Sequence, residues 1–576
     1  MSFFAAGLSL FNLWVYSPLM KVNLLYLSLL LLLVTGCKKS SNTPVSPPLQ
    51  PASFSLSTLT VNNISSGFTY INVSLTPSVQ LNFSASLTGQ SVQKAVSFNT
   101  GTGTAITYST SLKNGDSALI IHPSSPLQPF TKYTLSISTA LQSKDSGHLQ
   151  SAISISITTS IDSTDKFPRI SDDSLLTLVQ KQTFKYFWSF GHPVSGLARE
   201  RNTSGDVVTT GGTGFGIMAM IVAANRGFIT RSEALARIGT IANFYKNNCT
   251  AYHGAYSHWI NGATGATVPF SPQDDGADLV ETAYLMQGLL CAKQYFNTAD
   301  ADETSLRSTI NQLWDAVEWT WFQQNNQNVL YWHWSPNFGW TINLPIHGWN
   351  EALMVYALAA SSRTHAITKE VYDSGWAQNG AIKNGKQFYG ISLPLGEDYG
   401  GPLFFAHYSF LGINPKDLSD AYATDYWQQN AAHTGINYSY CVANPKGYTG
   451  YNSDCWGLTA SDEQNGYNAH SPTNDNGTIS PTAAISSLPY DTAKCMAALR
   501  FFYYKLGDKL WGDYGFKDAF NLTNLWFADS YLAIDQGPEI VMIENARSGL
   551  LWKLFMSCPE VKTGMKGLGF QGPNLK

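Results

Sequence analysis

Charged side chains are scarce in this sequence: Asp, Glu, Lys and Arg together make up 13% of its 576 residues, and the formal net charge is −4. A protein that binds nucleic acid needs a basic surface to meet the phosphates, so this balance argues against nucleic acid as a partner. Disordered chains are rich in charge and poor in rings, whereas aromatic residues reach 13% here. The composition therefore predicts a folded chain, long enough for two or three domains.

Several catalytic and cofactor signatures are missing. The sequence has no G-x-S-x-G nucleophile elbow, and Ser461, Asp462 and His470 do not follow a Ser-His-Asp pattern. The glycine-rich stretch Gly211–Gly214 lacks the lysine of a phosphate-binding loop, and Asp274–Asp278 lacks the alternating oxygen ligands of an EF-hand. The sequence thus predicts no cofactor and no metal site, with a cation among the acids as the weaker alternative.

The first 37 residues have the features of a targeting segment. An apolar run, Leu24–Val34, follows Lys21 and has the length of a signal-peptide core, too short to span a bilayer comfortably. It ends in Val34-Thr35-Gly36-Cys37, which resembles a bacterial lipobox, where a peptidase cuts before the cysteine and the thiol receives lipid. We expect a signal peptide over residues 1–37, with Met20 as an alternative start, and lipidation of Cys37. A noncleaved anchor with a chance cysteine is the alternative.

Residues 38–51 are rich in Ser, Pro and Lys and predict a flexible tether. Lys38, rather than Asp, follows the cysteine, so retention at the inner membrane is not signalled. We therefore expect an exported monomer that is attached through lipid to the bacterial outer membrane, on its periplasmic or its outer face.

The cysteine count fits export. Six cysteines remain after Cys37, and an oxidising compartment allows an even number to pair. Cys441 and Cys455 flank a loop rich in Gly, Asn and Tyr, and are the pair that we expect to form a disulfide. Cys291 and Cys495 lie in apolar helical patterns and are expected to be buried thiols.

Short alternating stretches run from residue 52 to about residue 160, separated by Gly, Asn, Ser and Pro. The stretch Ile153–Ile157 is typical, because its apolar side chains alternate with polar ones, as in a strand with one buried face. Frequent short strands predict a small all-β sandwich, and the segment resembles the bacterial Ig-like modules found ahead of many secreted enzymes. Its expected role is a spacer, with carbohydrate binding as the alternative.

From Asp172 onward, apolar residues follow the 3.6-residue period of helices. Long loops rich in Gly, Asn and aromatic residues separate these segments, and structured loops of that length usually carry function. Repeated pairs of helices predict a mainly α domain over residues 170–576, arranged as an (α/α)6 toroid. The predicted helices cover residues 173–189, 212–226, 231–247, 277–295, 303–323, 348–361, 417–431, 481–506 and 538–556.

Three acids lie close together in the segment Ser271–Leu290. At about 100° per residue, Asp274, Asp278 and Glu281 share a narrow arc of a helix, while the apolar residues occupy a different arc. Acids in a first helical turn normally complement the helix dipole. Three acids on one face repel one another, however, and the segment contains no Lys or Arg to relieve them. Crowded carboxyl groups therefore indicate a functional site.

An aromatic loop and a glutamate follow. Residues 331–350 hold six rings with interleaved polar side chains, and Pro336 and Gly339 interrupt any helical spacing. Such rings can stack on sugars while their polar neighbours bind hydroxyls, or they can simply plug the end of the barrel. Glu351 comes next, at the start of a predicted helix. A lone glutamate there often only complements the dipole, but glycosidases need two carboxyl groups across the scissile bond.

Four separated segments carry a family resemblance: QDDGADLVETAYLMQGLL, HGWNEALMVYALA, NSDCWGLTASD and YLAIDQGPEIVMIENARSGLLW. Over about residues 172–560 they resemble the bacterial glucoamylase-like domain, which includes the endo-β-1,2-glucanases of glycoside hydrolase family 144. The resemblance implies an (α/α)6 barrel and endo-hydrolysis of β-1,2-glucan, with inversion at the anomeric carbon. It also implies a site that contains Asp274, Asp278, Glu281, Glu351, Asp454, Trp456, Asp462 and Asp535.

Within that scheme Glu351 is the expected general acid, because a ring-lined pocket poor in water favours its protonated form. Asp535 is the leading general base, and Asp278 competes for either role. The expected substrate-binding residues are Asp274, Glu281, Trp332, Trp334, Trp340, Trp349, Asp454, Trp456 and Asp462.

Two other functions stay open at this point. Polysaccharide lyases also use helical toroids, but an acid-rich site suits a neutral glucan better than an anionic chain. The other alternative is a surface glycan-binding lipoprotein with an inactive site, against which the presence of all the family-matched acids argues.

Overall fold

The computed structural model describes residues 53–576. The predicted signal peptide, the predicted lipidation site Cys37 and the predicted tether of residues 38–51 lie outside the described residues. The chain divides into two compact units, of which the first ends at Asp162 and the second comprises Ser163–Lys576. Within residues 53–576, no helix combines the length and the apolar character needed to cross a bilayer.

The first unit is a β-sandwich. Its elements are β1 (Leu56–Val61), β2 (Thr69–Val73), β3 (Val79–Phe83), α1 (Gly89–Ala95), β4 (Val96–Thr100), β5 (Tyr108–Lys113), β6 (Ala118–Pro123), β7 (Lys132–Ile137) and β8 (Ile153–Thr159). One sheet has the order β1-β3-β6-β5 and the other the order β2-β8-β7-β4, in which β2 and β8 are parallel. Ile153, Ile155 and Ile157 of β8 are buried while the residues between them are not. The sandwich predicted from this alternation is confirmed.

The second unit is helical. Its helices are α2 (Asp172–Trp188), α3 (Thr210–Asn225), α4 (Arg231–Asn247), α5 (Leu279–Tyr295), α6 (Ala301–Ala316), α7 (Leu353–Ser361), α8 (Lys369–Val371), α9 (Tyr426–Ala443), α10 (Pro481–Ser486), α11 (Thr492–Tyr504), α12 (Gly507–Leu510), α13 (Ala533–Ser548), α14 (Leu550–Ser557) and α15 (Pro559–Gly567). Short strands lie in the loops: β9 (Val207–Thr209), β10 (Trp259–Asn261), β11 (Thr267–Val268), β12 (Ala277–Asp278), β13 (His333–Trp334), β14 (Gln387–Phe388), β15 (Ile391–Ser392), β16 (Ala460–Glu463), β17 (Gly466–Ala469), β18 (Trp511–Gly512), β19 (Gly515–Phe516), β20 (Phe520–Asn521) and β21 (Trp526–Phe527).

Six helical segments form an inner ring. In order they are α3, α5, α7, the two 3-10 turns Leu403–Ala406 and Ser409–Leu411, α10 and α13, and α13 packs back on α3. An outer layer of α2, α4, α6, α15, α9 and α11 packs against them. Inner helices must be apolar on every side, and α3 and α5 are buried along almost their whole lengths. The predicted (α/α)6 toroid is therefore confirmed.

Glycines let the inner helices approach one another closely. A Cβ atom at Gly214 of α3 would collide with the backbone of α5, and one at Gly288 of α5 would collide with the backbone of α3. Only residues without a side chain fit at this crossing, so the two helices pack backbone against backbone.

Several predicted boundaries differ from the structure. The helix expected at 417–431 begins only at Tyr426, because Asp425 caps it by accepting the N–H groups of Trp427 (2.8 Å) and Gln428 (3.3 Å). The helix expected at 481–506 is two helices, α10 and α11. These differences follow from capping side chains, whose effect outweighs the apolar periodicity.

The expected disulfide is wrong. Cys441 and Cys455 are both free thiols, and all six cysteines within residues 53–576 are unpaired. Both side chains are buried, and burial raises the pKa of the Cys441 thiol well above its ordinary value. They act as small apolar groups in the core, as do Cys291 and Cys495, whose predicted burial is confirmed.

Candidate active site

The amino ends of four inner helices meet at one end of the barrel. Asp278 caps α5, Glu351 lies two residues before α7, and Asp535 lies in the first turn of α13. Helix α3 joins them, because Glu281 of α5 accepts the N–H of Gly211 at 2.7 Å. The N–H groups at helix amino ends attract negative charge, so this end of the barrel can hold several carboxyl groups.

Two histidines from distant loops face the acidic segment. His258 Nδ1 lies 2.9 Å from Asp278 Oδ2, and His333 Nδ1 lies 3.3 Å from Asp274 Oδ2. The other oxygen of Asp278 accepts the first-turn N–H groups of α5 at 3.0 and 2.9 Å. Both oxygens of this fully buried carboxylate are therefore occupied. Asp278 therefore holds both the amino end of α5 and His258 in place.

The three acids do not share one helix, which corrects the sequence prediction. Helix α5 begins only at Leu279, whereas Asp274 lies in a turn and Asp278 in strand β12. The three side chains still gather, because β12 pairs with β13 and places Asp278 opposite His333.

The charge of each side chain in this group affects the pKa of its neighbours. Burial disfavours the charged form of His258, but Glu281, Asp278 and Asp274 outweigh burial and raise its pKa to about 9. Burial would raise the pKa of Asp278, yet His258 and His333 reverse the effect and hold it below its ordinary value. Burial, together with the charge of Asp278, raises the pKa of Glu281. At neutral pH the group therefore combines an ionised Asp278 with a protonated His258.

Glu351 has the properties of a proton donor. Its side chain is buried, and burial with the charges of Asp278 and Glu281 raises its pKa to about 7. Its main-chain carbonyl accepts the Tyr284 hydroxyl at 3.0 Å and the Ser409 hydroxyl at 2.5 Å, so the turn ahead of α7 is held firmly. A carboxyl group that keeps its proton near neutral pH is suited to general acid catalysis.

A second acidic group surrounds Arg201. Its Nη1 lies 3.0 Å from Asp462 Oδ1, and its Nε lies 2.9 Å from Glu200 Oε2. The Ser530 hydroxyl donates to Asp462 Oδ2 at 2.5 Å. Asp462, predicted as a site residue, is thus an ion-paired carboxylate that links three separate loops.

Asp535 belongs to this second group. Its carboxyl group is hydrogen-bonded to that of Asp518, which in turn accepts the N–H of Asp462 at 2.6 Å. Burial, together with the charges of Asp535 and Glu351, raises the pKa of Tyr408 well above its ordinary value. Burial and Asp518 raise the pKa of Asp535 well above its ordinary value. Its surroundings therefore favour the protonated form of Asp535.

Two of the tryptophans predicted to bind substrate, Trp349 and Trp456, are buried in the core. Trp456 has no exposed surface and packs edge-on against Tyr438. Trp349 is 5% exposed and packs against Phe410 and Tyr426. Neither ring offers a face to a ligand. Trp349 lies in the aromatic segment 331–350, but its ring packs into the hydrophobic core of the helical unit.

The other predicted tryptophans and Asp454 differ in how deeply they are buried and in what they contact. Successive residues of a strand point to opposite faces, so His333 faces the acids while Trp334 packs against His253 at 5.1 Å. Trp340 is half-buried in the same aromatic cluster, and Trp332 is 9% exposed. Asp454 is exposed in a turn, where its Oδ1 accepts the Ser453 hydroxyl at 3.2 Å.

Sequence reasoning missed several residues of the site. His258, Arg201 and Asp518 lie in loops and His333 lies in the short strand β13, each in a different segment from the acid that it contacts, and no periodic pattern marks them. Phe270 was also missed. It is 40% exposed, and its ring lies 4.2 Å from that of His258. The signal that the sequence offered for Phe270 was an aromatic residue immediately before the acidic segment Ser271–Leu290.

Comparison with known proteins gives matches over both units. The bacterial Ig-like domain model matches residues 57–159, and the Glycoamylase model, described as a glucoamylase, matches residues 343–559. An exo-β-1,2-glucooligosaccharide sophorohydrolase (non-reducing end) from Parabacteroides distasonis is 46% identical over 420 residues, which are 69% of this chain and 58% of that protein. The chain thus spans less than two-thirds of the length of this curated relative.

Solved structures extend the match. An endo-β-1,2-glucanase from Chitinophaga pinensis, in complex with sophorotriose and glucose, has 50% identity and a TM-score of 0.69, covering 70% of this chain and 100% of that one. A β-1,2-glucanase from Parabacteroides distasonis has 36% identity and a TM-score of 0.68, covering 91% of this chain and 74% of that one. This chain therefore belongs to the glucoamylase-like family of glycoside hydrolase family 144 type, with a bacterial Ig-like domain ahead of its helical domain.

Proposed function

We propose that this protein is a glycoside hydrolase that cleaves β-1,2-glucan. The observation that carries the proposal is Glu351, a buried carboxyl group whose pKa is raised to about 7 beside other acids at the end of an (α/α)6 barrel. The relatives that act on β-1,2-linked glucose, at 36–50% identity, support this substrate.

The proposed reaction inverts the anomeric carbon. Glu351 donates its proton to the glycosidic oxygen, and a water molecule attacks the opposite face of the sugar while a base takes its proton. Asp535 is the proposed base. Asp278, the competing candidate, has both oxygens occupied by α5 and His258, so we assign it to positioning.

The proposed binding residues surround these groups. Asp274 and Glu281, each less than a tenth exposed, would bind sugar hydroxyls beside Glu351, and Asp462 would do so from the Arg201 side. Trp332, Trp334 and Trp340 remain proposed ring contacts, and Asp454 a peripheral one. Sugars bind through such combinations of rings and polar groups.

We further propose endo action, which gives a direct experiment. The purified protein is incubated with linear β-1,2-, β-1,3-, β-1,4- and α-1,4-glucans, and products are sized over time. We expect a ladder of oligosaccharides from the β-1,2-glucan, formed about 10²–10⁴-fold more slowly with Glu351→Gln. Release of disaccharide alone would indicate exo action, an absorbing unsaturated product a lyase, and binding without cleavage a glycan-binding protein.

We also propose export, with a lipid on Cys37 and a monomeric protein at the outer membrane, on the basis of the lipobox-like sequence. In a bacterial host fed a labelled fatty acid, the full chain should take up label and fractionate with the outer membrane. Cys37→Ala should lose the label, whereas the matched variant Cys249→Ala should keep it. Label that persists in Cys37→Ala contradicts the proposal.

A further inference from the structure

The contact between Asp518 and Asp535 is unusual, because both partners are carboxyl groups. Asp518 is fully buried and Asp535 is 4% exposed. Asp518 Oδ2 accepts the N–H of Asp462 at 2.6 Å. The buried oxygens of the pair that meet no N–H or O–H donor are Asp518 Oδ1 and Asp535 Oδ2. Carboxylates only accept hydrogen bonds, so two of them can be bonded to each other only when one carries a proton.

The surroundings do not supply a cation that could hold two negative charges. Arg201 acts on both carboxyl groups, but it already pairs with Glu200 at 2.9 Å and with Asp462 at 3.0 Å. Asp462 adds a negative charge next to the pair. Two unscreened carboxylates side by side repel strongly, and such pairs retain one proton.

Neutral groups complete the environment of the pair. The charge of Asp535 raises the pKa of two nearby tyrosines: Tyr408, which is buried, and Tyr467, which is 40% exposed. His407 lines a small cavity of about 10 Å³ beside Asp535, and burial lowers its pKa to about 3, so it is uncharged. These neutral side chains therefore add no positive charge beside the pair and do not remove its proton.

We propose that Asp518 and Asp535 share one proton and work as a single base in the active site. This inference deepens the proposed function and rests on it. Burial and Asp462 raise the pKa of Asp518 to about 7, and burial and Asp518 raise the pKa of Asp535 well above its ordinary value, which agrees with one proton on the pair. Asp518 acts through Asp535 and is a positioning residue.

The shared proton explains how a residue that is protonated at rest can serve as base. When the proton shifts to Asp518, Asp535 becomes a carboxylate. The attacking water forms the bond to the anomeric carbon and passes its proton to Asp535, while the glycosidic bond breaks and its oxygen takes the proton of Glu351. The pair then holds two protons and Glu351 none, and one exchange of a proton with solvent at each restores the enzyme.

Net charge measures this proton without relying on activity. We would compare the wild type, Asp518→Asn, Asp535→Asn and the double variant Asp518→Asn/Asp535→Asn by capillary electrophoresis at pH 8. Asp529→Asn is the matched standard for loss of one carboxylate, because Asp529 is 95% exposed and thus ionised. Circular dichroism confirms that each variant is folded.

A shared proton predicts that each single variant keeps the wild-type charge, because the remaining aspartate ionises. The double variant should gain one positive unit, as Asp529→Asn does. A gain of one unit in each single variant would mean two carboxylates, and an unchanged double variant would mean two neutral acids. Either result overturns the proposal. If the protein cleaves no glucan, the proposed function fails, but the charge result still decides the shared proton.

Discussion

We expect activity to fall as the pH rises above 7, because the proton donor Glu351 then loses its proton. Burial and the neighbouring charges of Asp278 and Glu281 raise the pKa of Glu351 from its ordinary 4.5 to about 7. This rise in the pKa corresponds to about 3 kcal/mol in favour of the protonated form. Above this pKa each further pH unit leaves one-tenth as much protonated enzyme. We therefore expect kcat/KM on a β-1,2-glucan oligosaccharide to fall about tenfold per unit above pH 7.

The assay follows initial rates from pH 5 to pH 9 for the wild type and Glu351→Gln. The variant should lose about 10²–10⁴-fold in kcat on the natural substrate and show no basic limb. An aryl glycoside, whose leaving group departs without a proton, should be much less affected. Glu539→Gln is the matched control, because Glu539 is also buried with a raised pKa of about 8, but its partner is Thr183 of α2.

Two results would refute this reasoning. A wild-type profile that stays flat between pH 7 and pH 9 would show that Glu351 does not titrate in the reaction. A basic limb that persists unchanged in Glu351→Gln would assign it to another group.

Other residues give further tests. Trp349→Ala should lower the free energy of unfolding by about 3–5 kcal/mol in denaturant titrations, because the ring fills the core, and unchanged stability with a raised KM would contradict this. Glu539 has a folded pKa of about 8 against an ordinary 4.5, so its contribution to stability is fully present below pH 4.5 and is lost as pH rises toward 8. Glu539→Gln should therefore lose less stability than the wild type between pH 5 and pH 8 in thermal melts, and equal losses would contradict the argument. Asp278→Ala should cost about 1 kcal/mol of helix capping and lower the pKa of His258 from about 9, as followed by NMR titration, and a pKa that stays near 9 would contradict the ion pair.

Local patterns predicted the architecture well. The alternation in β8 and the helical period after Asp172 are properties of neighbouring residues, so the sequence shows them directly. Boundaries failed where one capping side chain, such as Asp425, decides where a helix begins. Such a cap depends on a side-chain geometry that periodicity does not contain.

The site was only partly predictable, for a physical reason. Asp274, Asp278 and Glu281 are close in sequence, and the segment resemblance added Glu351 and Asp535. The side chains that contact these acids lie in other segments of the chain.

His258 reaches Asp278 across 20 positions of the chain, and Arg201 reaches Asp462 across 261 positions. Those contacts exist only after the inner ring has closed. Conversely, Trp349 lies in a segment with the composition of a sugar-binding loop, and Trp456 lies in a segment of the family resemblance, but the fold directs both rings inward.

The central claim is that this site hydrolyses β-1,2-glucan with inversion. Proton NMR of the fresh reaction on linear β-1,2-glucan tests it most directly, because the anomeric signal of the new reducing end can be read before mutarotation. The account predicts that the α-anomer appears first and the β-anomer grows later. First appearance of the β-anomer, or no new reducing end at all, would contradict it.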